Sequence, residues 1–190
     1  MTLKKAVAYY PEKTAVVDAD QSFTYAQTFE RVAALARFFQ AQGIRPGDRL
    51  AILEVNSHKF LETYYAAAGI GAVLNPLNYR LVPREIAYIL RDSGARWLIA
   101  NKQFAAQVQG VLEEEVPLEG IVWIGRPANS SLRIAAHDYE AAVDSHKGHF
   151  EPVPVAEDSI AHLYYTSQRS PRQTHEQSRG YGWFRPSPLA

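Results

Sequence analysis

An α/β fold with a mostly parallel sheet is predicted by three observations. Short strand-like runs alternate with helical stretches along residues 1–167. Several of the runs, such as Leu50-Ala51-Ile52-Leu53, are almost continuously apolar, as strands covered on both faces are. Cap and turn residues then separate one stretch from the next.

The elements follow in order. Residues 14–18 form a β-branched run, Asp20-Gln21-Ser22 a turn, and Phe23-Thr24 the return strand of a small hairpin. Thr24 is placed to cap a helix, and Gln27 three residues later completes a capping box. That helix extends to about residue 42. Phe29, Val32, Ala33, Ala36 and Phe39 fall at three- and four-residue spacing and should share its buried face. Gly43 can end it in the left-handed conformation. Pro46-Gly47 is a turn, and a strand follows over 49–55. Asn56 or Ser57 can cap the next helix, which ends near Gly69 or Gly71. A second apolar strand is expected over 71–74. Pro83 suits a first helical position, with Ile86, Ile89 and Leu90 facing inward until Ser93-Gly94. Val82 stands at the cap position of this helix and has no hydrogen-bonding side chain. Strands over 96–100 and 121–124 flank a helix over 103–111. A short helix near 138–143, a proline-containing connector over 151–157 and a last strand over 160–165 complete the series. Crossovers between the parallel strands should be right-handed.

Composition removes several function classes. The chain has 190 residues and no cysteine, so disulfides, thiol catalysis and cysteine-based zinc sites are excluded. The longest uncharged stretch, 63–79, is shorter than the ~20 apolar residues of a membrane span and contains Asn75, Pro76 and Asn78. The apolar run after Lys4 and Lys5 stops at Pro11-Glu12, too early for a secretory signal, and a cytoplasmic location is expected. The formal net charge is zero, yet it divides unevenly. Residues 1–167 carry 16 basic and 19 acidic side chains, whereas 168–190 carry four Arg and one Glu. An acidic body is no nucleic-acid binder by charge, and no nucleic-acid partner is expected. Residues 168–190 hold no Ile, Val or Met, and their apolar residues follow no period. A disordered basic tail is the expectation there.

Three segments together carry a family resemblance. Gly43 to Leu53 (GIRPGDRLAIL), Gly71 to Arg96 (GAVLNPLNYRLVPREIAYILRDSGAR) and Ala161 to Ser167 (AHLYYTS) occur in order and at compatible spacing. They resemble the N-terminal part of the adenylate-forming, AMP-binding enzymes, and within these the fatty acyl-CoA synthetases. The resemblance covers residues 1–167. It implies the N-terminal portion of that family's α/β fold. It also implies the family's reaction, in which a fatty or other carboxylic acid attacks ATP to give an acyl-adenylate and pyrophosphate, and the coenzyme A thiol then displaces AMP. ATP, Mg2+ and coenzyme A are the cofactors the family uses. Thr166 and Ser167 correspond to the start of its phosphate-binding loop.

The resemblance stops there. The family loop continues Gly-Thr-Thr-Gly, one variable residue, then Pro-Lys-Gly. This chain reads Gln168-Arg169-Ser170-Pro171-Arg172-Gln173. Glycines let backbone N–H groups approach phosphates, and a lysine adds charge. Neither is present in those six positions. The rest of the family's sequence, including its C-terminal domain, has no counterpart in these 190 residues, and a truncated fragment is expected. The abrupt change of composition after Ser167 resembles translation out of frame. No catalytic residue and no metal ligand can be assigned, and the fragment is expected to be inactive alone and to bind none of the three cofactors productively. The alternative function is non-enzymatic, a decoy that pairs with a full-length relative.

Other groups have plain structural readings. Asn75 to Arg80 reads as a turn-rich loop. Tyr64-Tyr65 reads as helix packing and His162 as a packed sheet residue. His146 and His149 lack partners for a metal site and read as an exposed loop. Glu113-Glu114-Glu115 reads as a solvated helix end.

Overall fold

A computed structural model describes residues 3–125, 127 and 133–165 and, at the level of the backbone, 176–179. Its centre is a sheet in the order β7-β6-β5-β3-β4-β8-β9. The strands are β3 (Arg49–Leu53), β4 (Val73–Pro76), β5 (Trp97–Asn101), β6 (Gly120–Ile124), β7 (Ala135–Asp138), β8 (Ile160–Tyr164) and β9 (Glu176–Arg179). The first six run parallel, and β9 pairs antiparallel with β8. Strands β1 (Thr14–Asp18) and β2 (Gln21–Thr24) form a separate hairpin. The predicted α/β class with a mostly parallel sheet is what the structure shows.

Alternation along the strands divides the core into two layers. Leu50, Ile52, Leu74, Ile99, Val122 and Ile124 face a cluster with α2 (Tyr25–Ala41), α3 (His58–Gly69) and α6 (Tyr139–Ser145). Ala51, Leu53, Leu98, Ala100, Ile121 and Trp123 face the opposite cluster with α4 (Pro83–Ser93) and α5 (Ala105–Leu112). Both faces are therefore covered, which is why the strands read as unbroken apolar runs. Gly120 sits where a side chain would meet the Trp97 ring at 2.5 Å, so any larger residue there would force that ring to move.

The helix boundaries follow their caps. Thr24 Oγ1 accepts from Gln27 N at 3.2 Å, and Thr24 N donates to Gln27 Oε1 at 2.9 Å, a complete capping box. Ser57, rather than Asn56, caps α3 through Phe60 N. Asp138 caps α6 through Ala141 N. Val82 supplies no acceptor to α4, yet Val82 N donates to Glu85 Oε2 at 3.0 Å, so half of the box survives. Gly94 ends α4 at φ 67°.

Several elements differ from expectation. Strand β4 lies two residues later than predicted, because Val73 N bonds to Asp48 O and ladder pairing begins at Arg49↔Val73. Strand β3 ends at Leu53, and Tyr165 falls outside β8. Helix α1 (Leu3–Tyr9) and strand β7 were not foreseen. The Ala-Ala-His-Asp sequence of β7 has low strand propensity, and the strand exists through its ladder with β6. In α2, Ala34, Leu35 and Phe38 are buried as well as the predicted Val32, Ala33, Ala36 and Phe39, while Phe29 is only half-buried. This helix is thus packed around most of its circumference, against α1, α3, α6 and the hairpin. Four residues of the predicted tail form β9. Strand pairing runs through the backbone, so it leaves no mark in apolar periodicity.

Candidate active-site edge of the sheet

Parallel doubly wound sheets hold ligands outside the carboxyl ends of their strands, where neighbouring strands send their chains to opposite faces. Here β3 diverges in this way from both its neighbours, β4 and β5. The chain leaves β3 toward α3 on one face and leaves β5 toward α5 on the other. The gap is filled from within. Asn101 Nδ2 donates to both oxygens of Glu54, at 3.2 and 2.9 Å, and Val55 N donates to Oε1 at 2.8 Å. Asn101 Oδ1 in turn accepts from Gln103 N, fixing the turn that starts α5. Glu54 is 4% exposed. Burial pushes its carboxyl up, against the pull of the hydrogen bonds from Asn101 and Val55.

Strand β8 lies on the far side of β4 and leads toward Thr166 and Ser167, which are outside the described residues. Its register with β4 is Leu74↔His162. His162 is buried and stacks on Tyr64 of α3, with ring centroids 4.1 Å apart and an interplanar angle of 14°. Burial lowers the imidazole to about 4, so it is neutral at pH 7. Tyr64 thus joins α3 to β8, consistent with a packing role for both residues. Asn75 lies opposite Ala51 and is completely buried, and neither its Oδ1 nor its Nδ2 has a hydrogen-bond partner. The loop expected over Asn75 to Arg80 therefore begins later, and Asn75 is a strand residue on the α4 face.

A second polar cluster lies between the helices. Arg31 of α2 donates through Nε and Nη2 to Glu62 of α3 at 2.6 and 3.1 Å, and through Nη1 and Nη2 to Glu140 of α6 at 2.9 and 3.1 Å. Tyr139 Oη donates to Glu62 Oε2 at 2.9 Å, and Lys59 pairs with Glu140 at 3.1 Å. Burial would lower the Arg31 guanidinium, but its bonds to Glu62 and Glu140 outweigh that and hold it raised. At the start of α3, Asp18 Oδ2 accepts from His58 N at 2.9 Å and contacts His58 Nδ1 at 2.5 Å. The backbone bond and then the side-chain bond hold the Asp18 carboxyl below its usual range. These contacts clip the hairpin and three helices together.

The remaining candidates are dispersed. His146 Nδ1 contacts Ala142 O, while His149 pairs with Glu151, so the two histidines have separate partners. Glu113 caps the end of α5, and Glu114 lies 3.8 Å from Arg91. Among the described residues no group of three His, Cys, Asp or Glu side chains converges as a metal site would.

With this geometry in hand, comparison with known proteins decides the family. The sequence profile described as "AMP-binding enzyme" matches residues 3–167. The chain belongs to the AMP-binding enzyme family. A feruloyl-CoA synthase from Amycolatopsis sp is 38% identical over 159 residues, which is 83% of this chain and 28% of that protein. The 4-hydroxybutyrate–CoA ligase 2 of Metallosphaera sedula is 30% identical over 171 residues, 87% of this chain and 31% of that one. Among solved structures, the anthranilate CoA ligase AuaEII in complex with anthranoyl-AMP superposes with a TM-score of 0.83 at 22% identity, over 91% of this chain and 33% of that one. A fatty acyl CoA synthetase of Mycobacterium tuberculosis gives a TM-score of 0.74 at 28% identity, over 92% and 33%. The chain spans about a third or less of the length of these relatives.

The residues that follow the family match differ from the phosphate loop that the resemblance implies. Between Ser167 and Gly180 there is no glycine, and 168–190 contain no lysine. At the carboxyl ends of β3, β4 and β5 stand Glu54, Asn75 and Asn101, with Lys102 directly after Asn101. No helix among the described residues is long and apolar enough to cross a membrane.

Proposed function

We propose that this chain is an N-terminal piece of an AMP-dependent acyl-CoA ligase that does not activate a carboxylic acid by itself. The observation that carries this reading is the sequence Gln168 to Gln173, which replaces the glycine- and lysine-containing loop directly after the family match. The reaction of the lineage is acyl-CoA formation from a carboxylic acid, ATP and coenzyme A, with Mg2+. The relatives' names cover aromatic, hydroxy and long-chain acids, so the acid class stays at "carboxylic acid". The test is pyrophosphate release by the purified chain with ATP, Mg2+, coenzyme A and a panel of fatty and aromatic acids. No release above background is expected. Turnover with any acid would overturn the reading.

A second reading is a decoy that pairs with a full-length relative. It is favoured by one observation, that the described residues reproduce the family fold and so present the surfaces an intact ligase uses internally. Co-purification of a full-length ligase with the tagged chain is its test, and a monomer with no such partner would reject it.

A further inference from the structure

The border of the sheet beside β8 is where this chain departs from its family. The family match ends at residue 167, and β9 lies beyond it. Its backbone pairs antiparallel with β8 in the register Ile160↔Arg179, His162↔Ser178, Leu163↔Gln177 and Tyr164↔Glu176, with an irregularity between Ile160 and His162. Every other pairing in this sheet is parallel.

Without β9, the five residues of β8 would form the border. That strand reads Ile-Ala-His-Leu-Tyr, with Ile160 36% and Tyr164 37% exposed. An apolar border strand presents unpaired N–H and C=O groups beside greasy side chains and templates the addition of another strand. Strand β9 has the opposite character. It is four residues long, reads Glu-Gln-Ser-Arg, and carries a charge at each end. A short, polar, charged strand is a poor template, which is how natural sheets end their borders. The opposite border is built alike, since β7 also has four residues and ends in Asp138, whose side chain caps α6.

We propose that residues 176–179 are a self-supplied edge strand that blocks the β8 border against strand addition by a second copy of this chain. The pairing is of the backbone, so side chains matter little and N–H groups matter much. In an antiparallel pair, adjacent residues point their N–H groups alternately toward and away from the partner. Replacing two neighbours with proline therefore removes an inward donor whichever of the two holds it.

The experiment compares three full-length chains: wild type, Gln177→Pro/Ser178→Pro and Gln177→Ala/Ser178→Ala. Hydrogen exchange at the β8 amides and sedimentation across a concentration series are measured for each. The wild type should be monomeric with slow β8 exchange. The proline variant should exchange those amides roughly tenfold faster or more and self-associate as concentration rises. The alanine variant should match the wild type. Equal β8 exchange in all three chains would overturn the proposal. So would a proline variant that opens β8 yet stays monomeric, or a wild type that already associates. Loss of protection throughout β3 and β5 in the proline variant would also overturn it, because a border strand does not hold up the core.

Discussion

At the scale of single residues, two buried polar side chains have opposite circumstances. Asn75 carries an amide whose donor and acceptor are both unpartnered at zero exposure. An unmade buried hydrogen bond costs about 1–3 kcal/mol, so Asn75→Leu should leave stability unchanged or raise it by about 1 kcal/mol in urea titration. A loss above about 2 kcal/mol would show that the amide has a partner. Arg31 is fully engaged, with Glu62 2% exposed beneath it. Removing one member strands the other, and Arg31→Met should cost about 3–5 kcal/mol by the same measurement. His162 adds a pH dependence. Its imidazole is lowered to about 4 by burial, whereas the unfolded chain titrates near ~6.5. The unfolded state therefore binds more protons between these values. The contribution is complete above ~6.5 and is lost as pH falls toward 4, by on the order of 3 kcal/mol. His162→Phe should flatten the fall in melting temperature between pH 7 and pH 4.5. An unchanged slope would reject the assignment.

At the scale of elements, the caps are the simplest levers. Thr24 makes both halves of a capping box, and Thr24→Ala should destabilise α2 by about 1 kcal/mol. Val82 leaves α4 half-capped, with Glu85 returning the only bond. Val82→Ser should add about 0.5–1 kcal/mol, read as a rise in the urea midpoint at unchanged slope. The elements that were legible in the sequence are those with such chemistry. Helices α2, α3 and α4 announce themselves through Thr24, Ser57, Pro83 and Gly94. Strands β3 and β6 do so through unbroken apolar runs. The elements that stayed hidden, β7 and β9, have polar or small residues and exist through backbone pairing with a neighbour. Their existence depends on β6 and β8 being where they are, which is information distant in sequence.

At the scale of the whole molecule, the family and its α/β sheet could be read from three segments because those segments hold the core strands β3, β4 and β8 and the helix between β4 and β5. The site was less legible. Thr166 and Ser167 were the expected contact residues, and they lie outside the described residues. The bridge between Glu54 and Asn101 was not foreseen, since 47 residues separate the pair and neither position carries a motif. A carboxylate near the end of one parallel strand and an amide at the end of its neighbour was the available signal. It becomes visible only once the strand order β5-β3-β4 is known.

That order also sets a timetable. Strands β3 to β7 emerge from the ribosome in succession, and each later one finds its neighbour already made. Strand β8 does not. It pairs with β4, which was synthesised some eighty residues earlier, on the side away from β3. At roughly 5–20 residues per second, the outer flank of β4 waits several seconds for its partner. For that interval the nascent chain displays the open edge of β4 and the ring of Tyr64 to the cell. Chaperone capture during synthesis should therefore concentrate on chains longer than β4 and shorter than β8.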